Sequence, residues 1–204
     1  ELKDVLKEEH HPWLANYLVQ KRISSHANLQ GMYMSFIDKL AAPSLTKSIL
    51  LHVLQYVSKL LRSHKIISNT GDRSVLKNLG SFLGQMTVAR NKPLLQRHLD
   101  LKELLYHGYE TGRLFALTPF VSKIMECAEK SKVFRPPNPW VMGLMGVLAE
   151  LYQVDDLKIN IKFEIDLLCK RLDLKISDVA SSNTLRRRLQ PKKEKNPDFN
   201  VKIG

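Results

Sequence analysis

Cysteine is nearly missing from this 204-residue chain: Cys127 and Cys169 are the two, far apart and without a second pair to complete a metal-type spacing. A disulfide framework is thereby excluded, and a reducing compartment is the expectation. No apolar run approaches the roughly 18 residues of a membrane span, since His52 interrupts the richest stretch. The opening Glu1-Leu2-Lys3-Asp4 lacks signal-peptide character. These absences lead to the expectation of a soluble, intracellular protein. Aromatics are few, at 7%, which works against the interleaved stacking platforms of many RNA-binding modules.

Catalytic patterns are missing as well. No glycine-rich phosphate loop occurs, and the Gly80-Ser81 pair does not complete a hydrolase G-x-S-x-G elbow. The seven histidines include no i, i+4 pair joined by a carboxylate. His10 and His11 are adjacent, so on a helix they point apart; Asp155 and Asp156 are adjacent in an expected loop. Catalysis needs a base oriented by a partner, and no local spacing supplies one. The reading is non-enzymatic, with no metal and no cofactor.

What the chain does carry is 44% apolar residues, enough for a packed core, and a formal charge of +12. The excess implies acidic company, either nucleic acid or an acidic protein face. Helical periodicity dominates. Leu50, Val53, Leu54, Val57, Leu60 and Leu61 make one face, with Ser44 expected as its N-cap after Pro43. Val75, Leu76, Leu79, Phe82, Leu83 and Met86 make a second, with Asp72 expected as cap. A third runs from Leu114 to Ala128, with a kink or restart expected at Thr118-Pro119. Asn138-Pro139 opens a fourth, continuing through Trp140, Leu144, Val147, Leu148 and Leu151. Ile161, Ile165, Leu168 and Leu172 mark a fifth.

Weaker patterns add Trp13, Tyr17 and Leu18 after Pro12, then Met32, Phe36 and Leu40 entered near Asn28, then a short helix from Leu101 ending at Gly112. No strand alternation is found. The fold class is all-α with about eight or nine helices. Paired starts near residues 12, 44, 100 and 138 fit loosely the period of helical-hairpin solenoids, an irregular bundle being the alternative. Gly80 and Gly84 lie four apart and would let a neighbouring backbone approach closely.

Residues 1–180 read as the helical domain and residues 181–204 as a basic, flexible extension. From Leu185 onward there are seven basic and two acidic residues, and Pro191 should end any helix carrying Leu185 and Leu189. Two basic clusters are candidate phosphate or RNA contacts: Arg90, Lys92 and Arg97 in one connection, and Arg186, Arg187 and Arg188 in the extension. The most distinctive segment is Val133-Phe134-Arg135-Pro136-Pro137-Asn138-Pro139-Trp140. Its three prolines make a stiff connection, with Trp140 expected to fill the core and Phe134 and Arg135 displayed as a binding anchor.

The stretch from Phe134 to Trp140, followed by Val147-Leu-Ala-Glu-Leu151, resembles the central scaffold subunit of the Ccr–Not deadenylase complex. Asp72 to Gly80, Asn91-Lys-Pro93, Lys162-Phe-Glu-Ile165 and Pro12-Trp13 with Tyr17-Leu18 and Lys21-Arg22 extend the resemblance over roughly residues 9 to 172. It points to that subunit's middle region, similar to the middle domain of translation initiation factor four-G, a HEAT-like stack of antiparallel helical pairs. The resemblance implies a non-catalytic scaffold for mRNA deadenylation, decay and translational repression. Its implied partners are a Caf/Pop-type deadenylase, a DEAD-box RNA helicase and the other Ccr–Not subunits. It implies a cytoplasmic place, including mRNA-decay granules, with the nucleus second, and no membrane. Among matched residues, Phe134, Arg135, Pro136, Pro137, Asn138, Arg73 and Lys77 are the candidate partner-binding positions. A direct RNA-binding helical module is the alternative reading.

Overall fold

The computed structural model describes residues 6–200, and within them eight α-helices carry the fold. They are α1 (His11–Tyr17), α2 (Gln30–Leu40), α3 (Pro43–Arg62), α4 (Thr70–Met86), α5 (Leu101–Thr111), α6 (Leu114–Glu126), α7 (Pro139–Tyr152) and α8 (Ile159–Arg171). Short 3-10 turns and a π-helical turn over Leu18–Ile23 join or extend them. No strand forms among the described residues, only an isolated bridge between Leu157 and Phe199.

Each helix has an apolar stripe to bury, and burying them gathers the helices around one core. In α3 the buried positions are Leu45, Ile49, Val53, Val57 and Leu60, a row at helical spacing. Helices α4 and α6 make the most extensive contact in the molecule, and α6 also packs on α8. Helix α3 meets α1 on one side and α4 on another, and α5 meets both α6 and α7. Three consecutive pairs, α3/α4, α5/α6 and α7/α8, are in contact and stack as solenoid pairs do, whereas α1 packs on α3 rather than on α2. The helix starts at residues 11, 43, 101 and 139 lie close to the starts near 12, 44, 100 and 138 expected from the sequence.

Glycine makes the central seam. A Cβ on Gly80 would lie 2.8 Å from the Phe120 carbonyl oxygen, and one on Gly84 would lie 2.7 Å from Cys127 Sγ and 2.8 Å from the Ile124 carbonyl oxygen. Only hydrogen at these two positions lets α4 and α6 touch so closely.

Several local expectations are corrected. Ser44 does not cap α3, because the helix starts at Pro43; its hydroxyl instead bonds His11 Nδ1 at 2.7 Å. Asn69, not Asp72, caps α4: its Oδ1 accepts from the Asp72 N–H at 3.0 Å. Helix α6 passes through Pro119 without restarting. The ring removes one bond, to the Phe115 carbonyl, while Leu117, Phe120 and Val121 are held in the core around it. Trp13 and Met32 lie on the outside, 68% and 55% exposed, and Ala15, Val19, Tyr33, Met34 and Ile37 fill the core in their place. Trp140 is only half-buried.

Residues 182–200 do not form a loose extension but lie along the body. Glu150 on α7 accepts from the Ser182 hydroxyl and from the N–H groups of Thr184 and Arg186. Arg188 donates to Glu110 at 2.7 Å and to both oxygens of Glu103, with its guanidinium 5.0 Å over the Tyr106 ring. The segment ends at α6, where Asp198 sits fully buried. Leu185 is buried with it, in a short turn rather than a helix, and Leu189 is exposed.

Candidate functional site

The connections between pairs gather along one edge of the stack. Asn91, at the start of the α4–α5 connection, takes a left-handed backbone with φ 58°. Its Oδ1 accepts from Ser131 Oγ at 2.9 Å, the Lys132 N–H at 2.7 Å and the Val133 N–H at 3.1 Å. Ser131 Oγ in turn accepts from the Phe134 N–H at 2.8 Å. Asn138 closes the loop: its Nδ2 donates to the Val133 carbonyl, and its Oδ1 accepts from the Trp140 N–H at 2.9 Å as the cap of α7. Asn91 from one connection thus shapes the proline-rich loop of the next.

On that loop Arg135 and Pro137 are exposed, while Pro136 and Asn138 are half-buried. Phe134 is half-buried too, with its ring edge-to-face on Trp140 at 5.5 Å between centroids. The pair stands beside a hollow of about 280 Å³ lined by Leu94, Leu95, Leu99, Trp140 and Leu144. The loop presents Arg135 to solvent and Phe134 mainly to Trp140.

Arg73 and Lys77 lie elsewhere, on the α4–α6–α8 face. Arg73 donates to the Ile67 carbonyl and to Thr70 Oγ1, and its guanidinium stands 5.2 Å over the Phe115 ring. Lys77 is paired with Glu164 of α8 at 3.2 Å. Lys77 is ion-paired and Arg73 is held by hydrogen bonds and the Phe115 ring; both frame an apolar surface. That surface is carried by α8, which is apolar on two sides. Ile161, Ile165, Leu168 and Leu172 point into the core, whereas Ile159, Phe163 and Leu167, spaced four apart, stand 71%, 57% and 41% exposed. Phe163 and Phe115 line a common hollow of about 240 Å³ with Pro119. Large exposed apolar groups in one stripe are characteristic of a docking surface. Sequence reading passed over Ile159, Phe163 and Leu167, although the second stripe of α8 was there to be counted.

The basic candidates are scattered. Arg90 holds both oxygens of Asp38, at 2.8 and 2.7 Å, and keeps that carboxyl below the usual range. Arg188 is engaged by Glu103 and Glu110, which raise its pKa further. Lys92 and Arg97 are exposed on the edge connection, and Arg186 and Arg187 on the strap. Of these six, Arg90 and Arg188 are thus already engaged by carboxylates.

Chemistry of other kinds finds little support. Among the described residues no three His, Cys, Asp or Glu side chains are placed to hold a metal. Burial pushes the Cys127 and Cys169 thiols up to about 11, which keeps them protonated and poorly nucleophilic. Among the described residues no helix is long and apolar enough to cross a membrane.

Comparison with known proteins adds a consistent picture. The family described as the CCR4-NOT transcription complex subunit 1 CAF1-binding domain matches residues 1–195. The General negative regulator of transcription subunit 1 of Schizosaccharomyces pombe is 37% identical over 192 residues, covering 94% of this chain and 9% of that protein. The CCR4-NOT transcription complex subunit let-711 of Caenorhabditis elegans is 42% identical over 179 residues, covering 85% and 7%. The General negative regulator of transcription subunit 1 of Saccharomyces cerevisiae is 33% identical over 183 residues, covering 90% and 9%. The chain spans less than a tenth of the length of each of these relatives.

Proposed function

The chain belongs to the CAF1-binding domain family of CCR4-NOT transcription complex subunit 1, and from that premise we propose that it docks a Caf/Pop-type deadenylase as a non-catalytic scaffold. The observation that carries this reading is the family match over residues 1–195. The exposed stripe Ile159, Phe163 and Leu167, with Phe115 alongside, supplies the apolar centre that a stable interface needs. Arg73 and the Lys77–Glu164 pair form its polar rim.

A DEAD-box helicase would occupy a different surface. The edge loop carrying Phe134, Arg135, Pro136, Pro137 and Asn138 is separate from the α8 stripe, so two proteins fit without competing. Holding both on one scaffold raises the effective concentration of each on the same messenger. Deadenylation coupled to translational repression, in the cytoplasm, is the role that follows.

Two captures test this. The chain is immobilised and offered the nuclease and the helicase separately, then the same is done with Phe163→Asp and with Arg135→Glu. Loss of nuclease capture with Phe163→Asp alone, and of helicase capture with Arg135→Glu alone, supports the assignment. Nuclease capture by neither the intact chain nor its variants overturns it.

A further inference from the structure

A trough of about 680 Å³ runs along the same edge of the stack, on the α2–α3 side of Leu94 and Leu95. One wall is α3, which contributes Pro43, Lys47, Leu50 and Leu54 at i, i+4, i+7 and i+11. At 1.5 Å per residue this wall is about 16 Å long, close to three helical turns. The opposite wall is the connection after α4, with Pro93, Leu94 and Leu95, and Ile37 and Met86 lie in the floor.

Three features define what would fit. The floor is aliphatic: no Phe, Tyr or Trp lines it, so a nucleic-acid base has nothing to stack on. The walls are side chains of helices and offer no strand edge, so an extended peptide has no backbone ladder to join. The rim is cationic, with exposed Lys47 and Lys92, while the carboxylate that lines the trough, Asp38, is already neutralised by the two-point grip of Arg90. An aliphatic channel three turns long with a positive rim matches a helix bearing one apolar stripe and acidic flanks.

We propose that this trough is a docking site for an acidic amphipathic α-helix of a partner protein. It goes beyond the docking of the nuclease and helicase, whose proposed contacts at Phe163 and at Arg135 lie outside the trough lining. Affinity would come from apolar side chains seated between Leu50, Leu54 and Leu95. Orientation and partner choice would come from carboxylates meeting Lys47 and Lys92. Such a site would bring a regulatory or adaptor segment onto the scaffold while leaving the α8 face open.

The test uses the intact chain and three synthetic peptides of about 14 residues, near four turns. One carries Leu at i, i+4, i+7 and i+11 with Glu on both flanks. The second has Lys in place of every Glu, and the third is a scramble of the first. Fluorescence anisotropy should show the acidic peptide binding at least tenfold more tightly than either control. Its affinity should fall at least tenfold with Lys47→Glu combined with Lys92→Glu, and again with Leu95→Asp, with circular dichroism unchanged. No binding of the acidic peptide, equal binding of the scramble, or indifference to these variants overturns the proposal. So does tighter binding of a single-stranded adenylate oligonucleotide that the same double variant abolishes. So does a concentration-dependent dimer broken by Leu95→Asp, which would assign the trough to a second copy. Nuclease capture is measured in parallel on the same variants and should be unchanged, so the two readings fail separately.

Discussion

The carboxylate of Asp198 accepts hydrogen bonds from the backbone N–H groups of Leu114, at 2.8 Å, and Phe115, at 3.1 Å. A residue 84 positions downstream of Leu114 thus serves as the N-terminal cap of α6. Arg113, which precedes the helix, offers no side-chain cap of its own. Burial pushes the Asp198 carboxyl above the ordinary carboxylate range, and the two N–H donors pull the other way. The strap and the central helix are one structural unit.

Removing that cap should therefore destabilise the whole stack. Asp198→Ala leaves two buried N–H groups without partners and is expected to cost about 2 kcal/mol. Asp198→Asn, which keeps one acceptor and carries no charge to desolvate, should cost less. Urea midpoints read both, and an unchanged midpoint for Asp198→Ala would show that the cap is dispensable.

Glu150 should make stability depend on acid pH. Burial alone would raise its pKa, but the Ser182 hydroxyl and the N–H groups of Leu185, Thr184 and Arg186 outweigh that and hold it below the ordinary glutamate range. The unfolded chain then binds more protons than the native one in the window below about pH 4.5, so stability rises with pH there and is lost as pH falls. Glu150→Gln is expected to lower the urea midpoint at neutral pH and to flatten its decline between about pH 5 and pH 3. An unchanged acid limb would assign the pH dependence to other groups.

Gly80→Ala gains helix propensity and should still destabilise. The new methyl would lie 2.8 Å from the Phe120 backbone oxygen, which cannot rotate aside. Overpacking of this kind costs about 1–3 kcal/mol. A thermal midpoint at or above that of the parent would mean that the α4–α6 seam has slack.

The exposed stripe of α8 predicts a binding defect without a folding defect. Phe163→Asp should leave the thermal midpoint within a few degrees, because the ring is more than half exposed. Nuclease affinity should weaken at least tenfold, about 1.4 kcal/mol. Unaltered affinity, measured by calorimetry, would move the nuclease to another face.

Trp140 and Arg135 separate architecture from display on the edge loop. Because the indole is half-buried against Phe134, Trp140→Ala should cost about 2 kcal/mol, less than a core tryptophan. Arg135→Glu should change stability by no more than about 0.5 kcal/mol, as surface substitutions do. A collapse of thermal stability with Arg135→Glu would make that arginine structural.

Sequence alone carried the local physics. Apolar spacing gave the helices, Asn138-Pro139 and Gly112 gave two of their ends, and Gly80 with Gly84 foretold the close seam, because each depends on residues within a turn or two. The proline-rich stretch also marked the edge loop. Caps and charges fared differently. Asn69 replaced Asp72 as the α4 cap, and Lys77 and Arg90 were spent on Glu164 and Asp38, partners distant in sequence. The inward stripe of α8, Ile161, Ile165 and Leu168, was legible from spacing; that a second stripe with Phe163 stays uncovered was not, because that depends on what the rest of the stack packs against it. The basic strap looked unstructured because its own residues hold little that is apolar; Glu150, Glu103 and Glu110 on other helices supply what fixes it. Helix formation is a short-range decision written in neighbouring residues. Which surface remains open for a partner is settled by long-range contacts, and those exist only once the stack has assembled.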